Sequence, residues 1–439
     1  MPNSYNICQV KIGKIMQYSI LHILVHCGGG VGSVLMNWIK IDKENKHTIL
    51  CLNHNYYNTY DPTVVYERMG GKYSEINEWV KKSDIVITHF WNHPLLFEFL
   101  INSQLPKCRI AFWSHVSGLN PPYVFSQKLI DFSDVFVFSS PISYETKEIK
   151  ELLPESKLKL KHIWTTGNIE QFSNIIPIPH KGFNIGCTGQ LDYSKLHPNF
   201  VDLCSRINIP DVKFIMIGIG CDSEKIQQQV KDKGIEDKFI FTGIIKDIKP
   251  YLAIIDVLGY PLNPNHFGTC EQVIGEAIAA GIIPIVMKNP AEEYILLQSL
   301  IKFVCHDEQE YIHTMELLYR ERDKKKKIIT FMQEQVIKLY DTNKMILDWN
   351  EVFNNLIGLN KRKRIWNISN TKIRTQGNTI FTESLGNYGQ IFENNDINKI
   401  KKLYASNLQW YSKSKGSPKQ YLETFQNDNL LKEWVNLLD

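Results

Sequence analysis

Along most of the chain, short apolar runs alternate with segments whose apolar positions recur at helical spacing. The first set of runs predicts strands at Ser19 to His26, Thr48 to Leu52, Ile85 to Thr88, Arg109 to Trp113 and Val135 to Phe138. Helical periodicity falls between them, as at Val31 to Ile41 and Tyr73 to Lys82. A second set predicts strands at Phe183 to Cys187, Val212 to Ile217, Phe239 to Thr242, Val257 to Tyr260, Ile283 to Met287 and Phe303 to Cys305. Strands that read as continuous apolar runs, with helices between them, predict parallel sheets covered on both faces. The stretch Ile175-Ile176-Pro177-Ile178-Pro179-His180 between the two sets reads as an extended linker, because proline restricts its own backbone and that of the residue before it. The fold class predicted is therefore α/β, with two domains meeting near residue 180. Ligands of such sheets bind beyond the carboxyl ends of the strands, so two facing domains make a cleft.

Beyond the second set, one long helix is predicted from about Gln333 to Leu356. Arg362-Lys363-Arg364 and an Asn-rich stretch then lead to a tail with helical patterns at Ile397 to Tyr411 and Lys419 to Leu438. No catalytic chemistry is legible in this tail, and docking or bracing is its plainest role.

Composition narrows the function. A chain of 439 residues has room for two domains and an extension, and a formal net charge of +4 is too small to suggest a nucleic-acid partner. No apolar run approaches the roughly 20 residues that span a bilayer, and the N-terminus lacks a signal-peptide layout. Its nine cysteines are scattered singly, which suits reduced thiols of a cytoplasmic protein and offers no zinc-ligand spacing. No metal site is expected. The mixed run Arg320 to Lys327 could contact the inner face of an anionic membrane, although such runs are usually only solvated.

The richest stretch is Asn265-His266-Phe267-Gly268-Thr269-Cys270-Glu271-Gln272-Val273-Ile274-Gly275-Glu276-Ala277-Ile278-Ala279-Ala280-Gly281. It predicts a glycine-bearing turn opening an apolar helix, with Thr269 as N-cap and Gln272 completing a capping box. The amides and positive end of such a helix favour a phosphate. Glu276 is a charge among apolar residues, costly to bury without a partner. A ligand carrying a diphosphate and vicinal hydroxyls satisfies both features, and a nucleotide-sugar is such a ligand. On an α-helix Glu271 and Glu276 would point about 140° apart, so they would not grip one group together. Farther upstream, Gly28-Gly29-Gly30-Val31-Gly32-Ser33 ends in Ser33 where a dinucleotide fingerprint needs glycine, and no acid follows the second strand. That argues against a nicotinamide cofactor.

This stretch resembles the donor-binding helix of the retaining GT-B glycosyltransferases, the group 1 or family 4-like glycosyl transferases. The resemblance rests on Glu276-Ala277-Ile278-Ala279-Ala280-Gly281 followed by Pro284-Ile285-Val286, and on Gly189-Gln190-Leu191-Asp192-Tyr193-Ser194-Lys195. It implies two Rossmann-like domains facing a cleft: an acceptor domain at 1–178, a nucleotide-sugar donor domain at 179–330, a helix at 331–358 crossing back to the first domain, and a helical extension at 359–439. It also implies transfer of a sugar from a nucleoside diphosphate to a hydroxyl of a glycan or lipid-linked acceptor, with retention and with no cofactor or metal. Lys195 takes the family's lysine position, whereas Gln190 stands where an arginine is usual and Gly268 where a first glutamate is usual. Catalytic roles carry over to His115, Lys195 and Glu276, with Glu276 on the ribose and His115 on the transferred sugar. Donor contacts are expected from Gly29, Gly30, Gln190, Ile244, Gly268, Thr269 and Glu271, and an acceptor-side role for His89. A nucleotide-sugar epimerase or hydrolase, or a non-catalytic nucleotide-sugar or partner-binding module, would use the same residues.

Overall fold

The computed structural model describes residues 17–54, 65–297 and 303–438; Cys8 and Asn55 lie outside them. The first half supplies β1 (Ser19–Leu24), β2 (Lys46–Cys51), β3 (Val65–Tyr66), β4 (Ile85–Phe90), β5 (Leu105–Cys108), β6 (Ile110–Ser114), β7 (Val135–Phe138) and β8 (Leu160–His162). Seven of these form a parallel sheet in the order β3-β2-β1-β4-β6-β7-β8. Every residue of β4 and β6 is buried, which is why those sequences show no polar alternation. The second half supplies β9 (Phe183–Thr188), β10 (Val212–Ile217), β11 (Phe239–Gly243), β12 (Val257–Tyr260), β13 (Ile283–Met287) and β14 (Val304–Cys305). These form a six-stranded parallel sheet in the order β11-β10-β9-β12-β13-β14. Each half is thus an open, doubly wound α/β domain, with strand order reversing beside its first strand.

The single helix predicted at Gln333 to Leu356 is two. Lys325–Leu339 packs on the second domain through Met332 and Val336, and Thr342–Ile357 crosses to the first. Asp341 breaks the run, because its carboxylate accepts from the Asn343 and Lys344 N–H groups and starts a new helix. Trp349 and Phe353 of the crossing helix stack on Trp38 beneath the first sheet.

The tail is more broken than its periodicity suggests. Its helices are Gly377–Ser384, Gly389–Glu393, Ile397–Ala405, Pro418–Thr424 and Asn429–Asn436. It is not a separate body. Trp366, Phe381, Phe392, Tyr421 and Trp434 share one core with Val86, Phe97 and Phe112 of the first domain. Arg362–Arg364 forms β15, antiparallel to β5, and Arg364 is buried against Asp134. Among the described residues no helix is long and apolar enough to cross a membrane. Arg320 and Lys324 of the charged run pair with Glu316 and Glu321.

Candidate functional site

The cleft wall of the second domain begins where β9 ends. Gly189 turns there at φ 125°, in the left-handed region that glycine tolerates, and the chain runs through Gln190 and Asp192 to Lys195. The Lys195 ammonium lies 3.1 Å from the Glu271 carboxylate and near the rings of Tyr260 and Phe267. The Tyr260 hydroxyl donates to the same carboxylate at 2.8 Å. Burial alone would raise the Glu271 carboxyl, but Lys195, His266 and Tyr260 together hold it below its ordinary value.

Glu271 therefore stands just outside the helix, paired with a lysine. It is the residue before Gln272–Ala279, and its side chain folds back over the preceding turn. A Cβ on Gly268 would sit 1.8 Å from Glu271 Oε1. The glycine at 268 thus makes room for the Glu271 carboxylate.

The predicted capping box does not form. Thr269 is bonded to Ser140 Oγ of the first domain at 2.8 Å, and Gln272 reaches Thr165 O and Gly167 N. The turn is spent on holding the two domains together, with Cys270 and Phe267 also bonded to the first domain at Ser139 and Ser117. The helix start still leaves first-turn amides without intrahelical acceptors.

Glu276 lies on the half-buried stripe of that helix with Gln272 and Val273. Among the described residues its carboxylate has no hydrogen-bond or ion-pair partner, and burial pushes it up to about 7. Tyr340, which feels the Glu276 charge, gives its hydroxyl to the Cys270 and Glu271 carbonyls instead. Gly29 and Gly30 are exposed at the start of the first helix, with open space around each, and Ile244 is exposed beyond β11.

His266, Glu271 and Glu292 bring three ligand-type side chains within 4.8 Å of one another, a cluster that sequence spacing does not reveal. Each is already engaged. His266 Nε2 meets Glu292 at 3.1 Å, its Nδ1 accepts the Gly268 N–H at 2.9 Å, and Glu271 has the Lys195 ammonium. Beside the cluster, Leu119, Asn120, Pro264, His266, Gly268 and Pro290 line a cavity of about 290 Å³ between the domains.

The first domain brings together residues that the sequence kept apart. Asp42 Oδ2, His47, His22, His89 and His115 form one hydrogen-bonded ladder across β2, β1, β4 and the end of β6. Its successive distances are 3.0, 2.9, 3.0 and 2.8 Å. Each N–H···N bond needs one protonated and one bare nitrogen. Burial opposes the Asp42 charge, but His47 and Asn45 hold its carboxyl well below the usual range. If His47 gives its one ring proton from Nε2 to the ionised Asp42, each neighbour in turn donates from Nε2. His115 then donates from Nε2 to His89 and keeps Nδ1 bare. Burial holds His22 and His89 far below the ordinary imidazole value and lowers His115 to about 3, so these rings are neutral. His115 is only partly buried, but His89 is fully enclosed. His89, expected on the acceptor side, is wholly buried, with its two ring nitrogens bonded to His22 and His115.

Residues 168–335 match the sequence profile of the family described as Glycosyl transferases group 1. Among curated proteins none matches the chain. Solved structures resemble it in fold. Anabaena HepE in complex with UDP and glucose superposes at TM-score 0.62 with 14% identity, covering 77% of this chain and 100% of that one. A glycosyltransferase from Rickettsia africae gives 0.58 and 14%, over 78% and 99% of the two chains. The lipopolysaccharide outer core galactosyltransferase WaaB gives 0.52 and 15%, over 77% and 99%. The chain therefore has the GT-B glycosyltransferase fold, and its second domain carries the sequence profile of the group 1 glycosyl transferases.

Proposed function

We propose that the protein is a retaining glycosyltransferase that moves a sugar from a nucleoside-diphosphate-sugar to a hydroxyl of a glycan or glycoconjugate. The observation that carries this reading is Glu276, a partly buried carboxylate with no protein partner on the cleft-side helix of the family-matched segment. A pair of ribose hydroxyls would satisfy it. Lys195 and the amides at the start of the Gln272–Ala279 helix would stabilise the departing diphosphate, because preorganised positive groups act where charge develops. The first domain would present His115 Nδ1 to the transferred sugar, fixed in one tautomer by the ladder behind it. The leaving diphosphate would take the acceptor proton on the face it departs from, which preserves the anomeric configuration. With Lys195 in place, the site would need no metal. HepE and WaaB, solved respectively with UDP and glucose and as a galactosyltransferase, support a uridine donor and a glycoconjugate acceptor.

The test is donor turnover with and without a panel of glycan acceptors, with the anomeric centre of the product read by NMR. Acceptor-dependent release of nucleoside diphosphate and an unchanged anomer are expected. Equal release without acceptor would make the protein a hydrolase, and an inverted product would remove the front-face step.

A further inference from the structure

The tail enters the cleft. Asn407 Nδ2 donates to Pro121 O of the first domain, Asn265 Nδ2 donates to Ser406 O, and Gln409 Nε2 donates to Asn265 O. The loop that follows is drawn tight: Ser414 N donates to Ser412 Oγ, Ser417 Oγ to Ser412 O, and Gly416 N to Gln420 Oε1. Its tip is Lys415-Gly416, with φ of 69° and 71° at two consecutive residues. Gly416 is required there, since a Cβ would come 2.5 Å from the Asn92 side chain. Lys415 has no such licence, and the left-handed region is strained for a residue with a side chain. The strain turns a lysine inward. Lys415 is 8% exposed, its ammonium donates to Gln190 Oε1, and it lies 4.4 Å from the centre of the Phe267 ring.

That position is the cleft itself. Gln190 belongs to the loop after β9 of the second domain, and His26, on the loop after β1 of the first, feels the Lys415 charge. Asp192, Lys195 and Cys221 also face the ammonium. Lys195 is paired with Glu271, whereas Lys415 has no carboxylate within ion-pair distance among the described residues. Asp192 is occupied by the Ser194 N–H and the Ser412 hydroxyl. A buried ammonium without a counter-ion is expensive. Burial and Lys195 accordingly outweigh Asp192 and lower Lys415 to about 8. Two cations stand at one cleft wall: Glu271 pairs with Lys195, whereas Asp192 faces Lys415 without coming within ion-pair distance of it.

We propose that the tail delivers Lys415 as the second cation of the diphosphate site, supplying from position 415 the charge that Gln190 does not. This rests on the nucleotide-sugar reading above and goes beyond it: the extension is part of the donor site. Gln190, in turn, orients the lysine by accepting from it. Because the tail is fused to the first domain's core and Lys195 belongs to the second, both domains would hold one diphosphate, and donor binding would favour the closed cleft.

Calorimetry with UDP, GDP, ADP and CDP, and with uridine and inorganic diphosphate as controls, tests this on the full chain. The wild-type protein is expected to bind one nucleoside diphosphate. Lys415→Met should weaken that binding about tenfold or more, in keeping with loss of a charge-assisted bond, and leave binding of the bare nucleoside unchanged. Lys415→Arg should stay within about threefold of wild type, and Gln190→Arg should restore most of the affinity of Lys415→Met. In the unmutated protein, the bound nucleoside diphosphate should shield Lys415 from acetylation by an amine-directed reagent, read by mass spectrometry. That arm holds even if the methionine variant does not fold. Unchanged or tighter binding by folded Lys415→Met, or a Lys415 acetylated equally with and without ligand, would overturn the proposal and leave the donor reading standing. Tighter binding would mark the loop as a plug. Failure of wild type to bind any of the four would remove the donor reading and this proposal together.

Discussion

The two walls of the cleft bury polar groups in opposite ways. In the first domain, Asp42, His47, His22 and His89 are nearly or wholly inaccessible, and each finds its partner inside the protein. At the second, Glu276 finds none among the described residues, and Lys415, brought against that wall by the tail, finds only a neutral amide. A satisfied buried network stabilises and positions, as the ladder positions His115. A buried charge left without a counter-ion costs the fold something, and its persistence points to a ligand that completes it. Burial alone thus says little about function. What distinguishes the two walls is where the hydrogen-bond partners come from.

The sharpest way to break this contrast is to remove a charge from the second wall. Lys195→Ala should reduce donor turnover by a hundredfold or more, about 3 kcal/mol of transition-state stabilisation, with the fold retained by circular dichroism. Wild-type turnover would take Lys195 out of the site. An equally direct cut in the first wall should act on stability instead. His22→Leu takes one of two partners from both His47 and His89, and a loss of about 2–3 kcal/mol is expected in denaturant unfolding. Its effect on turnover should be the smaller one.

Glu276 offers a finer test, because its two roles have opposite signs. With its carboxyl raised to about 7, the folded protein holds this proton more tightly than the unfolded chain does. Its charged form therefore penalises the fold above pH 7, and the penalty fades as pH falls below 7. Glu276→Gln should raise the melting temperature at pH 8 and change it less at pH 5. Ribose hydroxyls would favour the ionised form, so wild-type donor affinity should be full above pH 7 and fall as pH drops through it. The glutamine variant should bind weakly with a flat profile. A mutant no more stable at pH 8 would show that Glu276 has a partner in solution. The smallest effect expected is none: removing divalent ions with EDTA should change turnover by less than about twofold, since Lys195 already serves the Glu271 carboxylate. Activity that disappears with EDTA and returns with a divalent ion would reassign His266, Glu271 and Glu292 as ligands.

Local pattern carried much of this. The inner strands of both sheets fall within a residue or two of their apolar runs, and β7, β10, β12 and β13 match them in full. Edge strands β3, β8 and β15 are too short to show a period. The isolated charge at Glu276 could be read because it interrupts an apolar helix. Thr269 and Gln272 misled, since a capping signature and a bond to another domain use the same side chains. His22 and His47 left one trace, a polar residue inside an apolar strand, but their mutual contact depends on sheet order. Lys415 left none: its partner Gln190 is 225 residues away, and no local periodicity reports such a meeting.

The proposed nucleotide site on the second wall stands or falls with Glu276. A thermal-shift panel of UDP, GDP, ADP, CMP and their sugars, run in parallel on wild type and Glu276→Ala, tests it most directly. Selective stabilisation of the wild type by one nucleotide and its sugar, lost in the variant, is the expected result. A flat response of the wild type across the panel, or equal stabilisation of both proteins, would contradict it.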